Sequence, residues 1–194
     1  MCGWFKINTD RNNYSTLYDV YSSTFGYNVV QTDATGTDLL MSNEEFNTLF
    51  LGSLTVGTWY FLGLSISNSS SFARKRALGD PTFTSYSRAG QLAQANRLRI
   101  GESHFGSERL AGAVAYFKLW SAGLSAAELE AEYASATPVR TANLYSFYRF
   151  DTASTTDNSG NGRTLTATGT PGSEASPILP SAITPFTGWG IPIL

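Results

Sequence analysis

At 194 residues the chain has the length of one domain and can bury a substantial core. Charged residues make up only 14% of it and the net charge is −2, so it has no electrostatic footprint for nucleic acid or an anionic membrane surface. Cys2 is the only cysteine, which excludes an internal disulfide and a thiolate cluster, and no apolar run reaches the ~18 residues of a membrane span.

Taken in order, Trp4 to Asn8 predicts a first strand and Asp10 to Asn13 a polar turn. Tyr14 to Ser22 alternates as a second strand, with Tyr14, Thr16, Tyr18 and Val20 or their neighbours on one face. Phe25 to Tyr27 reads as a turn and Tyr27 to Thr32 as a third strand. Asp33 to Thr37 predicts a hairpin turn with Gly36 free to take positive φ. Leu39–Met41 and Phe46–Leu51 read as hairpin strands, with a helical turn over Asn43 to Asn47 as the alternative. A strong strand runs from Gly57 through Ile66, turns at Asn68–Ser71, and returns over Phe72–Leu78 carrying Arg74, Lys75 and Arg76. Such a charge run is expected to be a solvated face or a blunted sheet edge, and alternatively a clamp for an acidic sugar or a partner carboxylate. Gly79-Asp80-Pro81 is a turn, and Thr82–Arg88 and Arg97–Ile100 are further strands.

The centre of the chain is Gly101 to Tyr133. Leu110 to Trp120 is a mostly apolar run rich in strand formers, interrupted by one charge, Lys118. A Gly turn then leads to Ser125-Ala126-Ala127-Glu128, the spacing of a capping box, in which a Ser hydroxyl and a Glu carboxylate satisfy each other's backbone N–H groups. Leu129, Ala126, Ala127 and Tyr133 give this short helix an apolar side, with Glu128, Glu130 and Glu132 expected on the exposed side. About a dozen short runs separated by turn clusters predict an all-β sandwich of two antiparallel sheets with one short α-helix.

The residues Gly112, Val114, Ala115, Phe117, Leu119, Trp120, Leu124, Ser125, Glu128 and Leu129 carry a resemblance. This strand, turn and capped helix resembles the C-terminal half of laminin-G-like domains, of the concanavalin A-like lectin/glucanase superfamily, and so implies a jelly roll. Tyr148-Arg149-Phe150-Asp151 and Asp157 to Gly162 are similar to a "Y-x-F-D … D-x-S-G-N-G" segment of the same family. The resemblance covers Thr58 to Gly169. In many relatives that second segment precedes the sandwich; here it follows the helix. Either the order is circularly rearranged or the segment belongs to a truncated next repeat.

Residues 171 to 194 hold five of the seven prolines and end in an apolar stretch around Trp189. This divides the chain into a sandwich over 1–170 and an extended tail over 171–194, which packs on its own sandwich or docks on a neighbouring chain.

The catalytic signatures are sparse. The glucanase pattern of closely spaced carboxylates does not occur, Glu44-Glu45 sits in a turn, and the partners of a lyase set are missing. His104 is the only histidine and reads as a surface or hydrogen-bonded loop residue. Cys2 reads as a lone thiol near a flexible end. No enzyme is expected. The oxygen-rich loop with Asp157, Asn158 and Asn161 suits Ca²⁺ on one reading and an Asx turn on the other. Sugar binding needs an exposed aromatic platform with polar neighbours, for which Tyr27, Tyr86, Phe105 and Trp189 are the candidates, with Arg74 and Arg76 as cations; Trp4, Trp59 and Trp120 are expected in the core. The expected function is non-catalytic recognition of a glycan or protein surface. The alternative is a structural subunit of a virion or surface assembly, oligomerising through 171–194, and a polysaccharide-active enzyme comes third. No signal peptide is visible, and the expected setting is extracellular, cell-surface or virion.

Overall fold

The computed structural model describes residues 1–9, 14–22, 26–43, 48–66, 70–89, 96–152, 154–168 and 172–180. The expected polar turn at 10–13, Phe25, Glu44-Glu45 with most of the alternative helical turn, the tip of the 68–71 turn and Trp189 lie outside these residues.

Among the described residues eleven strands form two antiparallel sheets, an all-β sandwich compatible with a jelly roll. In chain order the strands are β1 (Cys2–Ile7), β2 (Thr16–Ser22), β3 (Gly26–Thr32), β4 (Asp38–Asn43), β5 (Leu49–Ser53), β6 (Trp59–Ile66), β7 (Ser70–Ala77), β8 (Thr84–Ala89), β9 (Arg97–Ile100), β10 (Gly112–Trp120) and β11 (Leu144–Tyr148). The helix α1 (Ala126–Tyr133) lies between the last two. One sheet has the order β11-β10-β1-β6-β7-β8 and the other β5-β4-β3-β2-β9. Because β11 pairs with β10 and Tyr148 is buried in the inter-sheet core, the late "Y-x-F-D" segment is part of this sandwich.

Two cores flank the six-stranded sheet. Phe5, Ile7, Leu62, Leu64 and Phe117 face Tyr18, Val30, Leu39 and Met41 of the other sheet. On the opposite face Trp4, Phe61, Ala115 and Trp120 pack against Leu129 and Tyr133 of α1. Trp4, Trp59 and Trp120 are all core residues, as expected from the sequence. Strand periodicity serves both cores at once, since successive side chains point to opposite faces.

A bulge shifts that alternation by one residue along β10. The register slips between Cys2↔Lys118 and Trp4↔Ala115, and Tyr116 is the extra residue at φ 51. Its N–H donates to the Arg149 carbonyl (2.8 Å). Val114 therefore faces one core and Ala115 the other, after which Phe117 resumes the inter-sheet face and Lys118 turns toward the helix.

The helix cap forms as the spacing predicts: Ser125 Oγ accepts from the Glu128 N–H (3.3 Å), and Glu128 Oε2 accepts from the Ser125 N–H (2.7 Å). The exposed acidic side does not hold as a whole. Glu132 lies on the sheet side with Leu129 and Tyr133, fully buried, and its carboxylate accepts from Lys118 Nζ at 2.7 Å. It sits three residues from Leu129, about one turn along, so helical geometry puts it beside that buried residue. Cys2 also departs from expectation. It is buried in β1, and burial pushes its thiol up to about 12, against the opposing pull of Lys118, so it stays protonated and unreactive.

Candidate functional site

The site begins with Asp19, a carboxylate in the middle of β2 that is completely buried. A buried charge needs partners, and these come from 85 residues further along the chain. The His104 N–H donates to Asp19 Oδ2 at 2.6 Å, and His104 Nδ1 lies 2.5 Å from the same oxygen. Opposite a carboxylate that nitrogen carries the hydrogen. The segment between β9 and β10 is thus pinned onto the five-stranded sheet. Gly101 and Gly106, both at φ 78, make its turns, and a bridge between Glu102 and Arg109 closes it.

Pinning His104 assembles an aromatic cluster. Its ring stacks on Tyr21 (centroids 5.2 Å apart) and tilts against Tyr27 (4.7 Å), and Phe105 meets Tyr27 edge-on at 6.0 Å. Tyr21 and Tyr27 are directly paired across β2 and β3, which fixes their side chains on one face. Phe105 is 63% exposed. Its ring is an aromatic surface offered to solvent, on a turn that the neighbouring His104 ties to the sheet.

Guanidinium groups border it. Arg97 and Arg99 of β9 stand over the Tyr21 ring, 5.7 and 5.6 Å from its centroid, and Arg97 Nη1 donates to the Tyr21 hydroxyl (3.3 Å). That hydrogen bond, foremost, lowers the Tyr21 phenol below its ordinary range. Glu102 holds Arg99 (3.3 Å) and Arg109 (2.9 Å) in fixed positions. Arg97 has no carboxylate within ion-pair distance among the described residues. Beside the cluster an open groove of about 1190 Å³ runs from Tyr21 and Arg97–Ile100 past Gly112–Val114 to Trp59 and Asn8. Its other wall includes Thr152, Ser154, Thr164, Thr166 and Ser173.

No family model matches the chain, and no curated protein matches it.

The candidates named from sequence divide among several places. Tyr27 and Phe105 come together in the aromatic cluster. Tyr86 packs instead at the margin of the inter-sheet core, where its hydroxyl crowds Gly52. Arg74 and Arg76 belong to the helix side: Arg74 pairs with Glu130, and Arg76 stacks on the Tyr133 ring at 4.1 Å. Lys75, between them, points the other way, donating to the Ser53 carbonyl at 2.9 Å, and burial lowers it to about 8 against the opposing field of Asp38. The charges of the run stitch β7 to α1, β8 and β5.

The Asp157 loop is knitted as a turn. Asp157 Oδ1 accepts from the N–H groups of Phe147 (3.0 Å) and Ser159 (2.9 Å), and Oδ2 from that of Arg163 (2.9 Å). Asn161 donates to the carbonyls of Leu144 and Tyr145, and Asn158 to that of Thr156. Burial alone would raise the Asp157 carboxyl, but these backbone donors together outweigh it and hold the group below the usual range. Its carboxylate thus adds stability above ~pH 4, where an unfolded aspartate is ionised, and loses that contribution as pH falls through the lower folded value. Asp157→Asn is expected to cost about 2 kcal/mol at pH 7, since an amide can accept on only one side. Urea unfolding of both proteins at pH 7 and pH 3 checks this: the gap should shrink at the lower pH, and an equal gap at both sinks the account.

Residues missed from sequence are Asp19, Tyr21, Arg97 and Arg99. One signal was available: a lone carboxylate in the strand Tyr18-Asp19-Val20-Tyr21, whose neighbours are all strand formers, points to a buried acid with a distant partner.

Proposed function

We propose that the chain is a non-catalytic recognition domain, a concanavalin A-like, laminin-G-like jelly roll, that binds glycan on the Tyr21–Tyr27–His104–Phe105 cluster and along the adjoining groove. The observation that carries this reading is the exposed Phe105 ring, locked in place by the Asp19–His104 contact and flanked by arginines. Sugar rings present apolar C–H faces and polar rims, so an aromatic platform beside fixed hydrogen-bond donors suits them. Protein binding would ask for a larger contiguous apolar patch at the centre of the contact.

The test is a glycan panel with the wild type and Phe105→Ala. Because Phe105 is mostly exposed, the variant keeps its fold. It is expected to bind its best glycan about tenfold more weakly, the scale of one lost ring contact. Equal binding by the two proteins, or no glycan bound by either, overturns the reading. Running the panel with and without a chelator asks whether calcium at the Asp157 loop takes part.

A second reading, a subunit of a larger assembly, is favoured by Ile178. It is 91% exposed on the segment 172–180, while the neighbouring Leu179 packs against the core on the helix side of the six-stranded sheet. Light scattering of the full chain over a wide concentration range tests it, and a monomer throughout overturns it.

A further inference from the structure

The far end of the groove holds a contact that the glycan reading does not use. Lys6 lies on β1 with its side chain 13% exposed, and its ammonium stands 5.1 Å from the centroid of the Trp59 ring. Two residues on, Asn8 leaves the strand, anchored by its N–H to the Ala111 carbonyl (2.8 Å). The Lys6 ammonium and the Asn8 amide both donate to one carboxylate, that of Glu174: Lys6 to Oε1 and Asn8 Nδ2 to Oε2 at 2.7 Å. Glu174 arrives from 168 residues away on the segment 172–180, which is held independently by buried Pro177 and by Leu179.

We infer that Lys6 and Asn8 form a carboxylate subsite of the groove, occupied in cis by Glu174, and that a uronate-bearing sugar displaces Glu174 from it. This rests on the glycan reading above. The two oxygens of one carboxylate meet a cation and an amide beside an indole face, which is the donor set an acidic sugar needs. Asn8, Trp59 and Glu174 all line the groove that leads to Tyr21 and Arg97. Hydroxyl-bearing side chains line the wall between, matching sugar hydroxyls better than the side chains of an acidic peptide. Arg97, without a carboxylate partner among the described residues, offers a second cation to a longer acidic chain. Glu174 is 36% exposed, so solvent screens its ion pair and an incoming carboxylate can exchange with it. A purely structural role would make Glu174 a staple with no bearing on affinity.

The test uses the full chain, as wild type, Glu174→Gln and Lys6→Gln. The probes are a glucuronate-containing oligosaccharide, its carboxyl-reduced neutral counterpart and a glutamate-rich peptide, each titrated by calorimetry. Freeing a site occupied in cis raises apparent affinity by the reciprocal of the fraction of time it was open, so with the site open about a fifth of the time Glu174→Gln is expected to bind the acidic sugar about fivefold more tightly. The neutral sugar should bind both proteins alike, and Lys6→Gln should erase the preference for the acidic one. Acidic and neutral sugars bound equally by the wild type and by Glu174→Gln overturn the subsite while leaving the glycan reading standing. Peptide binding with no sugar bound overturns the uronate assignment and the glycan reading together.

Discussion

Replacing Lys118 with methionine is expected to lower stability by about 3–5 kcal/mol, the cost of leaving a buried charge without its partner. Lys118 and Glu132 are essentially inaccessible to solvent, and their ion pair spans 2.7 Å between β10 and α1. Both ends are also satisfied by the backbone. Lys118 Nζ donates to the Ser135 carbonyl (2.7 Å), while Glu132 accepts from the N–H groups of Val139 (2.9 Å) and Arg140 (2.9 Å). Glu132 thus ties the chain beyond the helix to the helix itself, and Lys118 ties both to the sheet. Methionine fills the lysine stem but leaves the carboxylate facing only backbone donors. Buried ion pairs can often be replaced by apolar residues at little cost, but not here. Lys118→Met with Glu132→Leu would orphan the Val139 and Arg140 N–H groups and should remain about 2 kcal/mol less stable than the wild type. Lys118→Met with Glu132→Gln keeps an acceptor for them and should recover more. Urea unfolding with an unchanged slope measures all three. A loss below ~1 kcal/mol for Lys118→Met would mean that the pair is not sealed from water.

That pair also shows where sequence reasoning stops. The strand runs, the Ser125–Glu128 cap and the sandwich class follow from local pattern and are present in the structure. A lysine inside an apolar strand was visible, but its partner was not, because Glu132 sits on a helix whose other acids, Glu128 and Glu130, do point outward. Deciding between exposed and buried needed the bulge at Tyr116, which sets the face on which Lys118 emerges. The candidate site was harder still. Asp19 and His104 are 85 residues apart, and Lys6 and Glu174 are 168 apart. Composition picked Phe105 and Tyr27 as possible platforms because aromatic residues in turns have no core to enter. It named Tyr86 beside them, with the Arg74–Arg76 run as an alternative clamp, and only sheet register separates them: alternate residues of β7 and β8 face α1 or the inter-sheet core.

Register is also what makes Gly112 the least replaceable glycine in the groove. It opens β10 opposite Ile7 and lies at the foot of the His104 segment. A Cβ there would stand 1.8 Å from the Lys6 carbonyl oxygen and 3.0 Å from the Ile7 Cα, both backbone atoms that no rotamer change can move. Gly112→Ala is therefore expected to cost about 3 kcal/mol, the upper end of an overpacking penalty, because β1 and β10 must part to admit it. Gly160→Ala is the matched control. Gly160 sits at φ 85, which an L-residue resists, but nothing lies within 4 Å of its Cβ position. That substitution should cost only about 1–2 kcal/mol of backbone strain. The comparison separates contact from conformation, since Gly112 has no positive φ to defend. Parting the strands at Gly112 also displaces Lys6, so the variant should lose the preference for an acidic sugar while Phe105 still binds the neutral one. Thermal or urea unfolding gives the first result and calorimetry the second. If Gly112→Ala proves no costlier than Gly160→Ala, β1 and β10 are not in contact here, and the placement of Lys6 at the groove falls with it.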